Sequence, residues 1–144
     1  MMFILDTNVV SELRKVTSGK ADKRVAKWAA SVVVADLYLS AITVQELEIG
    51  VQLVERRDVK QGALLRVWLN DHVLPAFAGR ILPIDELVAQ RSASLHVPNP
   101  APMRDSLIAA TALVHGMAVV TRNVADFEAS GAQLLNPWTW NSKG

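Results

Sequence analysis

Carboxylates stand where apolar runs of this chain give way to polar residues. Phe3-Ile4-Leu5 stops at Asp6-Thr7-Asn8, and Ala118-Val119-Val120 stops at Thr121, with Arg122, Asn123 and Asp126 close behind. Glu46 opens the helical pattern after the run at 37–41, Asp85 follows the run at 80–84, and Asp105 opens the pattern that feeds 118–121. In open α/β sheets, ligands bind outside the carboxyl ends of the strands. Acids gathered at such an edge repel one another, and a hard divalent cation with oxygen ligands relieves the repulsion.

Each acid alone has a plainer use. Asp and Asn favour helix N-caps, so Asp85 and Asp105 are expected as caps. "TVQE" at 43–46 fits a capping box, with Thr43 as cap and Glu46 three residues on. Two details favour chemistry. Glu46 shares its helical stripe with Ile49, Gly50 and Leu53, where an unpaired carboxylate is costly, whereas Glu48 shares a solvated face with Gln52 and Glu55. The helix "DSLIAATALVHG" (105–116) is apolar nearly all round and expected to be buried, with Ala109, Ala110 and Ala112 permitting close packing and Gly116 as its stop.

The elements that must position these acids follow from the hydrophobic pattern. Short apolar runs predict strands at about 2–6, 37–41, 80–84, 118–121 and 133–135. Val25, Trp28, Ala29 and Val32 recur at helical spacing, and further helices are expected over about 43–57, 59–73, 85–95 and 105–116. Strands alternating with helices indicate an α/β fold with a parallel sheet. "VPNPAP" (97–102) is a short connection, and no repeat or domain boundary is visible.

Composition narrows the function classes. The chain has 144 residues, 51% hydrophobic and 20% charged, which is a globular balance with material for one sizeable core. The net charge of +1 gives no overall basic field. A local excess exists in residues 1–30, where Arg14, Lys15, Lys20, Lys23, Arg24 and Lys27 outnumber the acids; a solvated face explains it most simply. With no cysteine, thiol catalysis and Cys-based zinc sites are excluded. No apolar run approaches the ~18 residues of a membrane span, and Asp6 interrupts the N-terminal run too early for a signal peptide, so a cytoplasmic protein is expected. His72, His96 and His115 lack metal-ligand spacing. Trp138 and Trp140, in "NPWTW", are expected to pack against the domain.

"ILDTNVVSEL", "TVQELEIG" (43–50), "RDSLIAATALVHG" (104–116), "VVTRNVADF" (119–127) and "LNPW" (135–138) together resemble a PIN domain, in particular the VapC/FitB-like toxin ribonucleases of VapBC-type toxin–antitoxin modules. The likeness spans essentially all of 1–144 and is weakest over 55–80. It implies one PIN domain with a central five-stranded parallel sheet flanked by helices. It also implies a cytoplasmic, Mg²⁺- or Mn²⁺-dependent endoribonuclease acting on single-stranded RNA, a homodimer held inactive by a cognate antitoxin. Asp6, Glu46, Asp105 and Asp126 match the acidic quartet that holds the metal and carries catalysis; Asp85 falls outside it. Asn8 and Asn123 then look like groups that orient the carboxylates, and Thr121 occupies a position for a small hydroxyl near water or metal. Arg104 is a candidate contact for substrate phosphate or a partner's carboxylate, or equally a cover for the helix start. Two rival readings stand beside this one. One is a non-enzymatic α/β binding module whose acids are only caps. The other is a phosphoaspartyl phosphatase-type enzyme, which Thr7-Asn8 after Asp6 and the lack of a late strand-end lysine disfavour.

Overall fold

The computed structural model describes residues 1–142. Its strands are β1 (Phe3–Leu5), β2 (Leu37–Ser40), β3 (Ile81–Leu82), β4 (Ala118–Val120) and β5 (Leu134–Leu135). All pair in parallel, in the order β3-β2-β1-β4-β5. The chain builds outward from β1 in one direction through β2 and β3, then returns to β1's other side for β4 and β5. The order therefore reverses between β1 and β4, where a crevice opens at the strand ends. Phe3 pairs with both Leu37 and Ala118, and Leu5 with Val120, so Asp6 and Thr121 emerge side by side.

The helices are α1 (Thr7–Leu13), α2 (Lys23–Ser31), α3 (Ala41–Arg57), α4 (Val59–Val67), α5 (Leu74–Ala76), α6 (Glu86–Ser94) and α7 (Met103–His115). They cover both faces of the sheet. Side chains alternate across each strand: Leu5 and Val120 join a core with Val9, Trp28, Leu47 and Leu69, while Ile4 and Val119 join one with Ile108, Ala109, Ala112 and Phe127. Each buried Leu, Ile, Val or Phe among them contributes about 1.5–3 kcal/mol. The expected small-residue packing of α7 holds, with Ala109, Ala110 and Ala112 all buried, and Gly116 ends the helix at φ +67°. The basic residues between Arg14 and Lys27 are exposed. Trp138 and Trp140 pack against the first core.

Three helix starts differ from expectation. α1 has too little apolar periodicity to stand out in seven residues; Asp6 starts it, accepting the Thr7 backbone N–H at 2.8 Å. α3 begins two residues before Thr43, because Ser40 closes β2 and its hydroxyl accepts the Ile42 N–H at 3.0 Å. Thr43 is thus inside the helix, buried, with its hydroxyl unpaired, and the capping box does not form. α7 begins at Met103 after Pro102, which places Asp105 in the first turn and leaves it no capping bond. Asp85 does cap α6, accepting the Val88 N–H at 3.0 Å. The helix expected over 59–73 is α4 followed by a π-helical turn, Trp68–Val73, that runs on into α5.

Candidate active site

Asp6 is 1% exposed and its carboxylate is fully engaged. Oδ1 accepts the Thr7 N–H that starts α1, and Oδ2 accepts the Thr121 hydroxyl at 2.7 Å and, more weakly, the Asn8 amide at 3.4 Å. Thr121 is itself buried, and its hydroxyl accepts the Asn123 backbone N–H at 3.0 Å. The β1–β4 pairing is what brings these groups together. Asn8 also accepts the Arg122 N–H at 3.3 Å, so its amide ties the two strand ends to each other. Asn123 enters through its backbone N–H.

Glu46, on the second turn of α3, accepts the Thr7 hydroxyl at 2.5 Å through Oε1. Its flank is apolar as expected, but that flank is open: Ile49 and Leu53 are 51% and 57% exposed. Glu48 lies on a solvated face, as expected, and is paired there. Its carboxylate receives two hydrogen bonds from Arg66, each 2.7 Å.

Arg104, on the first turn of α7, turns its guanidinium toward the acids while staying partly exposed. Nε donates to Glu46 Oε2 at 2.5 Å, Nη1 to Asp105 Oδ1 at 2.5 Å, and Nη2 to Asp6 Oδ1. One guanidinium therefore joins acids from the end of β1, from α3 and from α7. Burial works against its charge, but hydrogen bonds and charges from Glu46 and Asp6 outweigh that and raise its pKa above the ordinary arginine value. Burial raises the pKa of Asp105. The Arg104 hydrogen bond and charge oppose the rise, and the charges of Asp126 and Asp6 add to it.

Asp126 lies on the 3-10 helix Val124–Ser130, exposed, its carboxylate without a hydrogen-bond partner among the described residues. It shares a cleft of about 320 Å³ with Asp105, lined also by Leu95, Pro102, Ser106 and Phe127. The four acids thus meet at one edge, though unequally buried: Asp6 is inside, Asp105 and Glu46 are partly buried, and Asp126 is on the rim. Asp85 belongs to α6's cap alone. Thr7 was missed by sequence reasoning. Its hydroxyl joins Glu46 to the Asp6 strand end, and its place inside "DTN" was the available signal.

Among the described residues, no three acidic or imidazole side chains stand in a metal-holding arrangement; the point where three of the acids converge is taken by a guanidinium. The donor set nevertheless suits a hard divalent cation. It is all oxygen, carried on separate elements, and its four carboxylates exceed the single guanidinium in charge. Among the described residues, Asp105 keeps one oxygen, and Asp126 both, free of protein hydrogen bonds.

The PIN domain family model matches residues 3–129. The chain is a PIN domain. Over 148 residues it is 42% identical to a protein of Sinorhizobium fredii named VapC ribonuclease Y4jK, covering 95% of this chain and 98% of that one. Over 142 residues it is 41% identical to toxin FitB of Neisseria gonorrhoeae, covering 95% and 99%. Among solved structures, this PIN domain superposes on a chain of FitAB bound to an IR36 DNA fragment with a TM-score of 0.87, at 39% identity, over 97% of this chain and 98% of that one. The resemblance expressed by the five sequence segments is thus to the right family, and the parallel five-stranded architecture follows it.

Proposed function

We propose that this PIN domain is a Mg²⁺- or Mn²⁺-dependent endoribonuclease of single-stranded RNA. It would be the toxin of a type II toxin–antitoxin pair, cytoplasmic, homodimeric, and held inactive by a cognate antitoxin, with residues 1–144 acting as one domain. The observation that carries the nuclease reading is the meeting of Asp6, Glu46, Asp105 and Asp126 at the strand-order reversal, with Glu46 and Asp105 free of any capping duty. The ribonuclease and toxin names of the 42% and 41% identical relatives, and the FitAB assembly, support the biological reading.

Asp6, Glu46, Asp105 and Asp126 would hold the cation. Such a cation supplies charge neutralisation at the attacked phosphate and a source of nucleophilic water. The protein's part is to fix the donors. Thr121 and the α1 N-terminus lock both oxygens of Asp6, and Thr7 locks one oxygen of Glu46. Asp126, on the open rim, faces incoming RNA. Hydrolysis that breaks the P–O3′ bond leaves a 5′-phosphate and a 3′-hydroxyl. The test is incubation of the purified, antitoxin-free protein with a mixed pool of single-stranded RNA. Cleavage with Mg²⁺ or Mn²⁺, none with EDTA, and 5′-phosphate ends are expected. No cleavage under either ion, from protein that unfolds cooperatively, would contradict it.

A further inference from the structure

Arg104 has a role that the acidic quartet alone does not assign. Its three donor nitrogens take one oxygen each from Asp6, Glu46 and Asp105. On Asp6 and Glu46 the other oxygen is already committed, to the hydroxyls of Thr121 and Thr7. The oxygens that point into the centre of the cluster are therefore the ones the guanidinium holds. A dication using those oxygens would lie beside a like charge that is not lost at any ordinary pH.

We propose that Arg104 is a resident counter-ion of the site, which competes with the divalent cation for Asp6, Glu46 and Asp105, so that cation binding and release of Arg104 are one equilibrium. The proposal rests on the metal-nuclease reading above. In the cation-free protein the guanidinium offsets carboxylates that would otherwise repel, one of them almost wholly buried. On binding it must leave, and there is room. A second cleft, about 490 Å³, lies on its other flank, lined by Ile42, Gln45, Glu46, Met103 and Leu107. The side chain is 33% exposed already, so rotation toward that cleft crosses no packed core. An arginine that served only to staple α7 to α3 would support the fold and the cation site together. A competing arginine sets them against each other.

Two readings that need no RNA separate these cases: Mn²⁺ affinity by isothermal titration, and thermal unfolding in EDTA and in Mn²⁺. Arg104→Gln should unfold at a lower temperature than wild type in EDTA, yet bind Mn²⁺ about tenfold more tightly or better, with a larger upward shift on adding the ion. Arg104→Lys keeps the charge but loses the planar fork, and should fall between the two. If Arg104→Gln is unfolded in EDTA, the lysine variant decides on the same criterion, tighter binding than wild type. Equal or weaker Mn²⁺ binding by the variants, with wild type binding normally, would overturn the counter-ion role and leave the metal site standing. Absence of Mn²⁺ binding and of any thermal response in wild type and both variants would instead overturn the metal site, and this proposal with it.

Discussion

Two arginines of this PIN domain gather carboxylates, and the clusters differ in nearly every physical respect. Arg66, on α4, donates to Glu48 and Glu55 of α3 across the helical hairpin. Both its carboxylate partners come from one neighbouring element, both are more than a third exposed, and only two carboxylates face the one guanidinium. The hairpin is held close by Gly62, where a Cβ would stand 2.5 Å from the Glu55 Cα. Arg104 instead joins acids of three elements at the strand-order reversal, one of them 1% exposed, with Asp126 adding a further negative charge nearby. The pKa values respond in opposite directions. The Arg66 hydrogen bond draws Glu48 down from 4.5 to about 2. Asp105 is pushed up, burial and neighbouring acids outweighing its arginine. The first cluster is a satisfied surface staple. The second carries a surplus of negative charge that its own arginine does not cancel, which is the condition for recruiting a cation.

The contrast is sharpest under substitution. Asp6→Asn should abolish RNA cleavage while leaving a folded protein, because Asn can still accept the Thr7 N–H as an N-cap. Arg66→Gln should cleave at the wild-type rate. Parallel cleavage assays, with circular dichroism to establish folding, read both. A cleaving Asp6→Asn beside an inactive, folded Arg66→Gln would mean that the functions of the two clusters have been exchanged.

Thr121→Val gives a smaller effect. It removes the hydroxyl that orients Asp6 Oδ2, and groups that orient metal ligands are worth about 10–100-fold in metal affinity. Titration with Mn²⁺ should show a loss in that range, with no change at the Arg66 hairpin. Unchanged affinity would show that Asp6 needs no orientation from β4.

The smallest effect separates the clusters by pH. Glu48 has a depressed folded pKa, so its contribution to stability is present above 4.5 and is lost as pH falls toward 2. Asp105 has a raised folded pKa, so its ionisation costs stability as pH rises above the ordinary carboxylate range. In EDTA, wild type should therefore lose its advantage over Arg66→Gln on acidification. Asp105→Asn should improve relative to wild type as pH rises. Both shifts should be modest; that of the exposed Glu48–Arg66 pair should shrink with added salt. Denaturant unfolding across pH reads them, and slopes of the same sign for the two variants would contradict the contrast.

Much of the fold was legible because its signals are local. The β1 and β4 runs are short and apolar with polar stops, and α7 is apolar on every side, so both the central strands and the buried helix could be read from single windows. The helix starts were less legible. Ser40 is both the end of β2 and the cap of α3, and no window shows that the loop has zero length. Pro102 shifts α7 forward and moves Asp105 from cap to first turn. The four acids could be named from strand ends and from family likeness, but their grouping depends on β1 lying between β2 and β4, a tertiary fact. Arg104 shows the limit most plainly. In sequence it offered a contact with substrate or partner and, equally, a cover for the helix start, whereas two of its three carboxylate partners, Asp6 and Glu46, lie 98 and 58 residues away.

The central claim is that a cation binds where Arg104 now joins the acids. Anomalous diffraction from a crystal of the antitoxin-free protein soaked in Mn²⁺ tests it most directly. The strongest Mn²⁺ peak is predicted among Asp6, Glu46, Asp105 and Asp126, with the Arg104 guanidinium turned toward Gln45 and Met103 and the Arg66 hairpin free of metal. A peak at Glu48 and Glu55, or none at the quartet with Arg104 still joined to Asp6, Glu46 and Asp105, would contradict it.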